Sequence, residues 1–196
     1  EDVCQSISLN PNLEVLHLQW TRGLTEEGIK AILVNCPNLK ELNVACTNMN
    51  ERMVRTLADN LNPCLTRLNI SGYRYTLTDS CIESICANAP CLTDLDLSNA
   101  TLLSPKTIAT IRHHLYRLQS LSLSRCYGVT PFSYLDFIGM PSMMNLNVYG
   151  LLRDNALNEL RNRLPAIQIN KNPFSSIARP TFGIKRTSIW NLRVRD

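Results

Sequence analysis

A short apolar frame, Leu-x-x-Leu-x-Leu, recurs along most of the chain and narrows the possible folds more than any other feature. It appears first at Leu13/Leu16/Leu18, then at Leu39/Leu42/Val44, Leu65/Leu68/Ile70, Leu92/Leu95/Leu97, Leu118/Leu121/Leu123, Met143/Leu146/Val148 and Leu164/Ile167/Ile169. Successive starts differ by 26, 26, 27, 26, 25 and 21 residues. Apolar residues in so short an alternating run make a strand with one buried face. A helical pattern follows each of the first six frames. Thr25 stands ahead of Ile29, Ile32 and Leu33, Asn50 ahead of Met53, Val54 and Leu57, Thr78 or Ser80 ahead of Ile82 and Ile85, and Asp154 ahead of Leu157 and Leu160. Ser104-Pro105 and Thr130-Pro131 set a capping hydroxyl directly before a proline at the first helical position.

Strand, turn, helix and return turn at a period within roughly 20 to 29 residues define a leucine-rich repeat. The expected fold is therefore α/β: a horseshoe-shaped solenoid with a concave parallel sheet and convex helices. One repeat cannot bury its own apolar side, so stability has to come from stacked neighbours. Seven strands about 4.8 Å apart make a strip about 29 Å wide. Residues 1–170 are expected to form this solenoid, with about seven repeats, and 171–196 a tail without further repeats. Val3 and Ile7, followed by Asn10-Pro11, read as the helix and return turn of a repeat whose strand would precede Glu1. The array is thus expected to be truncated at its N-terminus.

Charge is divided unevenly. Residues 1–170 carry 14 basic and 15 acidic side chains, a net of −1, whereas 171–196 carry six basic residues against Asp196, a net of +5. A basic tail attracts polyanions or acidic proteins. No apolar run approaches the roughly 18 to 20 residues that span a bilayer, and EDVCQSISLN lacks the basic and apolar regions of a secretory signal. No membrane association is expected. The eight cysteines follow the repeat phase and contain no Cys-x-x-Cys pair, so they are read as buried free thiols in a reducing compartment, without metal. His113-His114 lies on a convex helix, and Asp94 and Asp96 share a strand face without a nucleophile, metal set or phosphate loop nearby. The chain reads as a non-enzyme without cofactors. The polar residues that alternate with the leucines form a mixed surface suited to a protein partner, with no basic aromatic stripe for nucleic acid.

Asn-Pro-rich return turns and Cys46 and Cys126 after the strands look like the cysteine-containing subclass of leucine-rich repeats. LTRLNISGYR at 65–74, LDLSN at 95–99, LQSLSLSRCY at 118–127, LPAIQIN at 164–170 and FSSIARPTFG at 174–183 narrow the match further. With Ile189-Trp190 they make the chain resemble the F-box leucine-rich-repeat substrate receptors of Skp-cullin-F-box ubiquitin ligases. That resemblance implies a receptor of nucleus and cytoplasm that performs no chemistry. Its concave surface and returning tail would bind a small Cks-type accessory protein. The pair would recognise a phosphorylated cyclin-dependent-kinase inhibitor for ubiquitin-dependent degradation. The Skp adaptor would bind through an F-box that these residues do not contain. Family contact positions map onto Asn99, Arg125 and Phe174. Arg125 and Phe174 match the family type, whereas Asn99 replaces an acidic residue and Cys46 stands where an exposed tryptophan is expected.

Each position also has a plainer reading. Arg125 is a partner contact or a solvated strand-end residue, Phe174 a contact or a plug for the open end of the solenoid, and Trp20 an interface anchor or a ring packed under a loop. The competing function is a leucine-rich scaffold whose basic tail binds nucleic acid or another polyanion. Salt dependence separates the two, because counterion release makes polyanion binding fall steeply with salt.

Overall fold

The computed structural model describes residues 3–172 and Ile177. Each central leucine sits in a three-residue strand: β1 Val15–His17, β2 Glu41–Asn43, β3 Arg67–Asn69, β4 Asp94–Asp96, β5 Ser120–Ser122 and β6 Asn145–Asn147, with the shorter β7 Gln168–Ile169. All pair in parallel in sequence order, and the register stacks Leu16, Leu42, Leu68, Leu95, Leu121, Leu146 and Ile169 in one column. The pairing extends beyond the strands. The Lys40 carbonyl, for example, accepts from both Thr66 N–H and Arg67 N–H at 2.8 and 3.0 Å. Leu68, Leu121 and Leu146 have no exposed surface. Fully burying one such side chain is worth about 1.5–3 kcal/mol, which makes this column and its flanking leucines the main stabilising term.

The convex layer follows the expected caps. Helices α1 Val3–Ser8, α2 Glu26–Asn35, α3 Glu51–Asp59, α4 Asp79–Asn88, α5 Pro105–His114 and α6 Asp154–Arg163 alternate with the strands. Thr25, Asn50 and Ser104 each accept a helix N–H through the side chain. Thr78 caps α4 by backbone position alone, because its hydroxyl pairs with Ser80 Oγ at 2.9 Å. The Asp79 carboxylate accepts from Ser104 N–H, the Ser104 hydroxyl and the Thr107 hydroxyl, tying the starts of α4 and α5 together. Burial alone would raise its pKa, but these bonds outweigh burial and hold it below the usual carboxylate value.

Three expectations are corrected. Thr130-Pro131 opens a 3-10 segment, Pro131–Gly139, instead of an α-helix. Helix α6, by contrast, begins at Asp154 as the pattern predicts, with Arg153 as its cap. On α1, Cys4 and Ser8 face the core while Val3 is exposed, so the expected Val3/Ile7 face is rotated by one residue. The seventh frame is displaced as well. Leu164 ends α6 as Leu115 ends α5, and Ile167 N–H bonds to its carbonyl as Leu118 N–H bonds to that of Leu115. Ile167 is therefore the first apolar position, and Ile169 comes two residues later where the other repeats allow three. Both face inward, which hid the missing residue in the apolar pattern.

The cysteines divide by exposure. Cys4, Cys36, Cys81, Cys86 and Cys126 are buried, Cys46 and Cys91 are half-buried and Cys64 is exposed; all are free thiols. Burial pushes the thiols of Cys86 and Cys126 up to about 12, which leaves them protonated and unreactive at neutral pH. Among the described residues no helix is long and apolar enough to cross a membrane, and no three His, Cys, Asp or Glu side chains gather as a metal site. Of the tail beyond residue 170, only Lys171, Asn172 and Ile177 are described, and Ile177 is buried. Its expected return over the solenoid lies outside the described residues.

Polar groups in the core differ in how well they are satisfied. Tyr73 is buried, and its hydroxyl reaches the Val44 carbonyl and the Thr47 hydroxyl. The Tyr134 hydroxyl and both amide atoms of Asn62 are buried without a partner. Asn62 occupies the place that Cys36, Ala89 and Leu115 fill in neighbouring repeats, as shown by the bond from Leu65 N–H to its carbonyl. An unmade buried hydrogen bond costs about 1–3 kcal/mol. Urea unfolding should therefore show Tyr73→Phe destabilised by about 1–2 kcal/mol, Tyr134→Phe near wild type, and Asn62→Ala equal to or more stable than wild type. A large loss in Tyr134→Phe would mean that its hydroxyl is satisfied.

Candidate partner-binding surface

Strands leave the sheet through one repeated turn. Asn43, Asn69 and Asp96, last in their strands, each accept a hydrogen bond through a side-chain oxygen from the N–H two residues on, at 3.0–3.1 Å. This bond curls the chain in those three repeats, and with or without it the residue four past each central leucine takes a left-handed backbone. These residues are Trp20, Cys46, Gly72, Asn99, Arg125 and Gly150, with φ between +55° and +97°. The conformation directs the N–H toward the following repeat: Trp20 to the Ala45 carbonyl, Cys46 to Ser71, Gly72 to Ser98, Asn99 to Ser124 and Arg125 to Tyr149, at 2.8–3.0 Å. Glycine adopts this region readily and asparagine is enriched there, but for a bulky residue such as tryptophan it is an outlier.

The column runs along a concave groove of about 700 Å³ lined also by Asn43, Asn69, Asp96 and, beside the Arg125 end, Tyr149. Asn99 and Arg125 therefore line the same groove, one strand apart, as the sequence suggested. Arg125 is exposed, Asn99 is half-buried, and neither has an ion-pair or side-chain hydrogen-bond partner among the described residues. Arg125 leans over its neighbour: a Cβ added to Gly150 would sit 3.2 Å from its Cγ. Cys46 leans over Gly72 in the same way, with its Sγ 2.8 Å from an added Cβ. Burial and the Asp96 carboxylate both raise the pKa of the Cys46 thiol. Trp20 lies on the rim at 75% exposure, so it is not packed under a loop. Phe174 lies outside the described residues.

Charges on the N-terminal strands pair with one another. Buried Glu41 accepts from His17 Nε2 at 2.7 Å on one side and pairs with the Arg67 guanidinium on the other, spanning β1 to β3. Lys40 pairs with Glu14 at 2.6 Å. Asp94 and Asp96, considered above as paired carboxylates, are engaged locally: Asp94 accepts from the Thr93 hydroxyl at 2.9 Å and Asp96 holds the strand-exit turn. His113 and His114 are exposed at the end of α5. The sequence revealed the polar strand positions but not the left-handed column. Its available signal was a small or amide residue four places past several central leucines.

A family model described as the SKP2 LRR domain matches residues 1–196. The chain belongs to the SKP2 leucine-rich-repeat family. Solved structures similar to this SKP2-family solenoid include a chain from the crystal structure of the yeast Rad7 and Elc1 complex, at a TM-score of 0.49 and 17% identity. That match covers 86% of this chain and 59% of the other. Leiomodin-1 actin-binding site 2 is also similar, at a TM-score of 0.48 and 16% identity, covering 83% of this chain and 86% of that one.

The rim of the SKP2-family solenoid permits a stability test. Gly72→Ala should destabilise by about 1–2 kcal/mol, because alanine disfavours the left-handed region and its Cβ meets Cys46 Sγ. Cys46→Gly in the same chain should restore the steric part of that loss. A double-mutant cycle by thermal unfolding measures the coupling, and strict additivity would show that the two residues do not touch.

Proposed function

We propose that this solenoid is the substrate-recognition module of a Skp-cullin-F-box ubiquitin ligase. It binds a Cks-type accessory protein and, with it, a phosphorylated cyclin-dependent-kinase inhibitor. Membership in the SKP2 leucine-rich-repeat family supports the coarser part, a substrate-recognition leucine-rich repeat of a ubiquitin ligase. The observation that carries the finer part is the placement on one open groove of Asn99 and of Arg125, which has no ion-pair partner among the described residues. A planar guanidinium offers two parallel hydrogen bonds to a carboxylate or phosphate. In this reading the chain performs no chemistry: it holds two proteins side by side, and its Skp adaptor engages an F-box elsewhere in the receptor. Phe174 of the tail completes the surface, and the receptor works in nucleus and cytoplasm.

Two features tune that surface. Neutral Asn99 offers both a donor and an acceptor where the family type is acidic, so it suits a partner whose opposing group need not be cationic. With Cys46 where a tryptophan is expected, aromatic area on the rim is supplied from Trp20, one strand away.

Calorimetric titration with a purified Cks-type protein tests the proposal. Arg125→Ala should weaken binding by about thirtyfold, the equivalent of a 2 kcal/mol interface hot spot, and Phe174→Ala should do likewise. Arg117→Ala serves as control, since its side chain lies beside Cys91. Equal losses in the control, or none in Arg125→Ala, would remove Arg125 from the surface. Affinity for single-stranded nucleic acid that collapses between low and moderate salt would instead favour the polyanion-binding scaffold.

A further inference from the structure

A second concavity lies away from the groove, where the end of α5 meets the return turn of the following repeat. It has a volume of about 430 Å³ and is lined by Arg112, His113, Tyr116, Gly139, Met140, Pro141 and Ser142. No acidic side chain lines it. Three features distinguish it from an ordinary surface dent.

The first is the position of Arg112. It belongs to the last turn of α5, where a cation commonly complements the helix dipole. Yet among the described residues its guanidinium makes no hydrogen bond to a helix carbonyl and no ion pair. It extends across to the next repeat instead and lies against Gly139, where an added Cβ would come within 3.0 Å of one guanidinium nitrogen and 3.6 Å of Nε. The missing side chain at Gly139 therefore leaves room for the guanidinium to lie there, at the cavity wall, with its donors unspent.

The second feature is Ser142. Its hydroxyl has no solvent exposure and no hydrogen-bond partner, although the residue lines the cavity. A buried hydroxyl without a partner is costly, and a turn about its χ1 torsion would bring it into the cup, where an acceptor held beside Arg112 would remove that cost. The third is the remaining wall. Met140, Pro141 and the exposed ring of Tyr116 are apolar and leave more room than a single oxyanion fills. That space matches the stem and backbone of an amino-acid side chain that bears the anion.

From these features we infer that the cup between α5 and the Gly139–Ser142 turn is an anion-binding site for a phosphorylated or carboxylate side chain of a peptide. Arg112 supplies the charge, His113 lines the rim, Ser142 donates once its hydroxyl turns into the cup and Tyr116 packs on the stem. The site is independent of the concave groove and of the proposed Cks-type partner, so its failure would leave that reading untouched.

The test uses the full 196-residue chain, labelled with nitrogen-15 and held at constant ionic strength with sodium chloride. Inorganic phosphate is titrated first, then phosphoserine and glutamate blocked at both ends as the N-acetyl N-methylamides. Saturable amide shifts confined to Gly139–Met143 and the end of α5 are expected. The blocked amino acids should bind more tightly than the bare anion, and the tighter of the two identifies the source of the charge. Arg112→Ala should weaken binding by about tenfold or more, Ser142→Ala by a smaller factor, and Arg117→Ala, outside the cup, should bind as wild type. Shifts that rise linearly without saturating, or saturation unchanged in Arg112→Ala, would overturn the assignment.

Discussion

No repeat in this molecule can bury its leucine without the next one. Leu68 has no solvent exposure because Leu42 lies beneath it and Leu95 above, at the spacing set by parallel strand pairing. The caps, the return turns and the strand-exit turns all serve to bring the chain back into that register after each excursion. Where the excursion is shortened, as before β7, the pairing survives only as two residues, Gln168–Ile169. The solenoid is thus a one-dimensional stack in which each interface is a local contract between neighbours, and a defect is felt mainly by the two repeats that share it.

The same stacking determines what the concave face can offer. On β1 to β3 the register sets Glu41 and Arg67 side by side and His17 within reach, so the charges neutralise one another. Along β4 to β6 the equivalent positions hold Asp94, Ser120 and Asn145, and the Asn145 amide donates to the Ser120 hydroxyl at 3.1 Å. Among the described residues Arg125, displaced from the strands to the rim, has no ion-pair partner. A partner approaching the C-terminal half of the groove therefore meets hydrogen-bonding groups and one guanidinium, without having to break an existing ion pair.

Much of this was legible in the sequence, because a leucine at a fixed period states both the element and its neighbour. Strand centres and most caps follow directly from Leu16 to Leu146 and from Thr25, Asn50 and Ser104. The apolar pattern could not distinguish the α-helix from the 3-10 segment at Pro131, since both bury Tyr134 and Phe137. Nor could it detect the residue missing before Ile169, because Ile167 and Ile169 both face inward. Asn99 and Arg125 were legible as strand-end residues, but their shared left-handed backbone was not. Before Asn99 it accompanies a bond from Ser98 N–H to the Asp96 side chain, whereas before Arg125 the Ser122 hydroxyl accepts from the Asn147 amide instead, so no single residue type marks the column in the sequence. Arg112 and Ser142 were invisible for a different reason: their proximity depends on Gly139, whose contribution is an absent side chain.

The 3-10 segment also bears on the shape of the arc. A horseshoe bends because its convex layer is wider, per repeat, than its concave one: helices pack about 8–10 Å apart, while paired strands lie about 4.8 Å apart. Between α5 and α6 the convex layer is built by Pro131–Gly139, a tighter coil that rises about 2.0 Å per residue against about 1.5 Å for an α-helix. A slimmer and longer element narrows the mismatch between the layers, which favours a lower curvature at the repeat that leads into β6. The expected consequence is a flatter arc beside Arg125, where a rigid partner that spans β4 to β6 would meet a gentler concavity than one docked on β1 to β3.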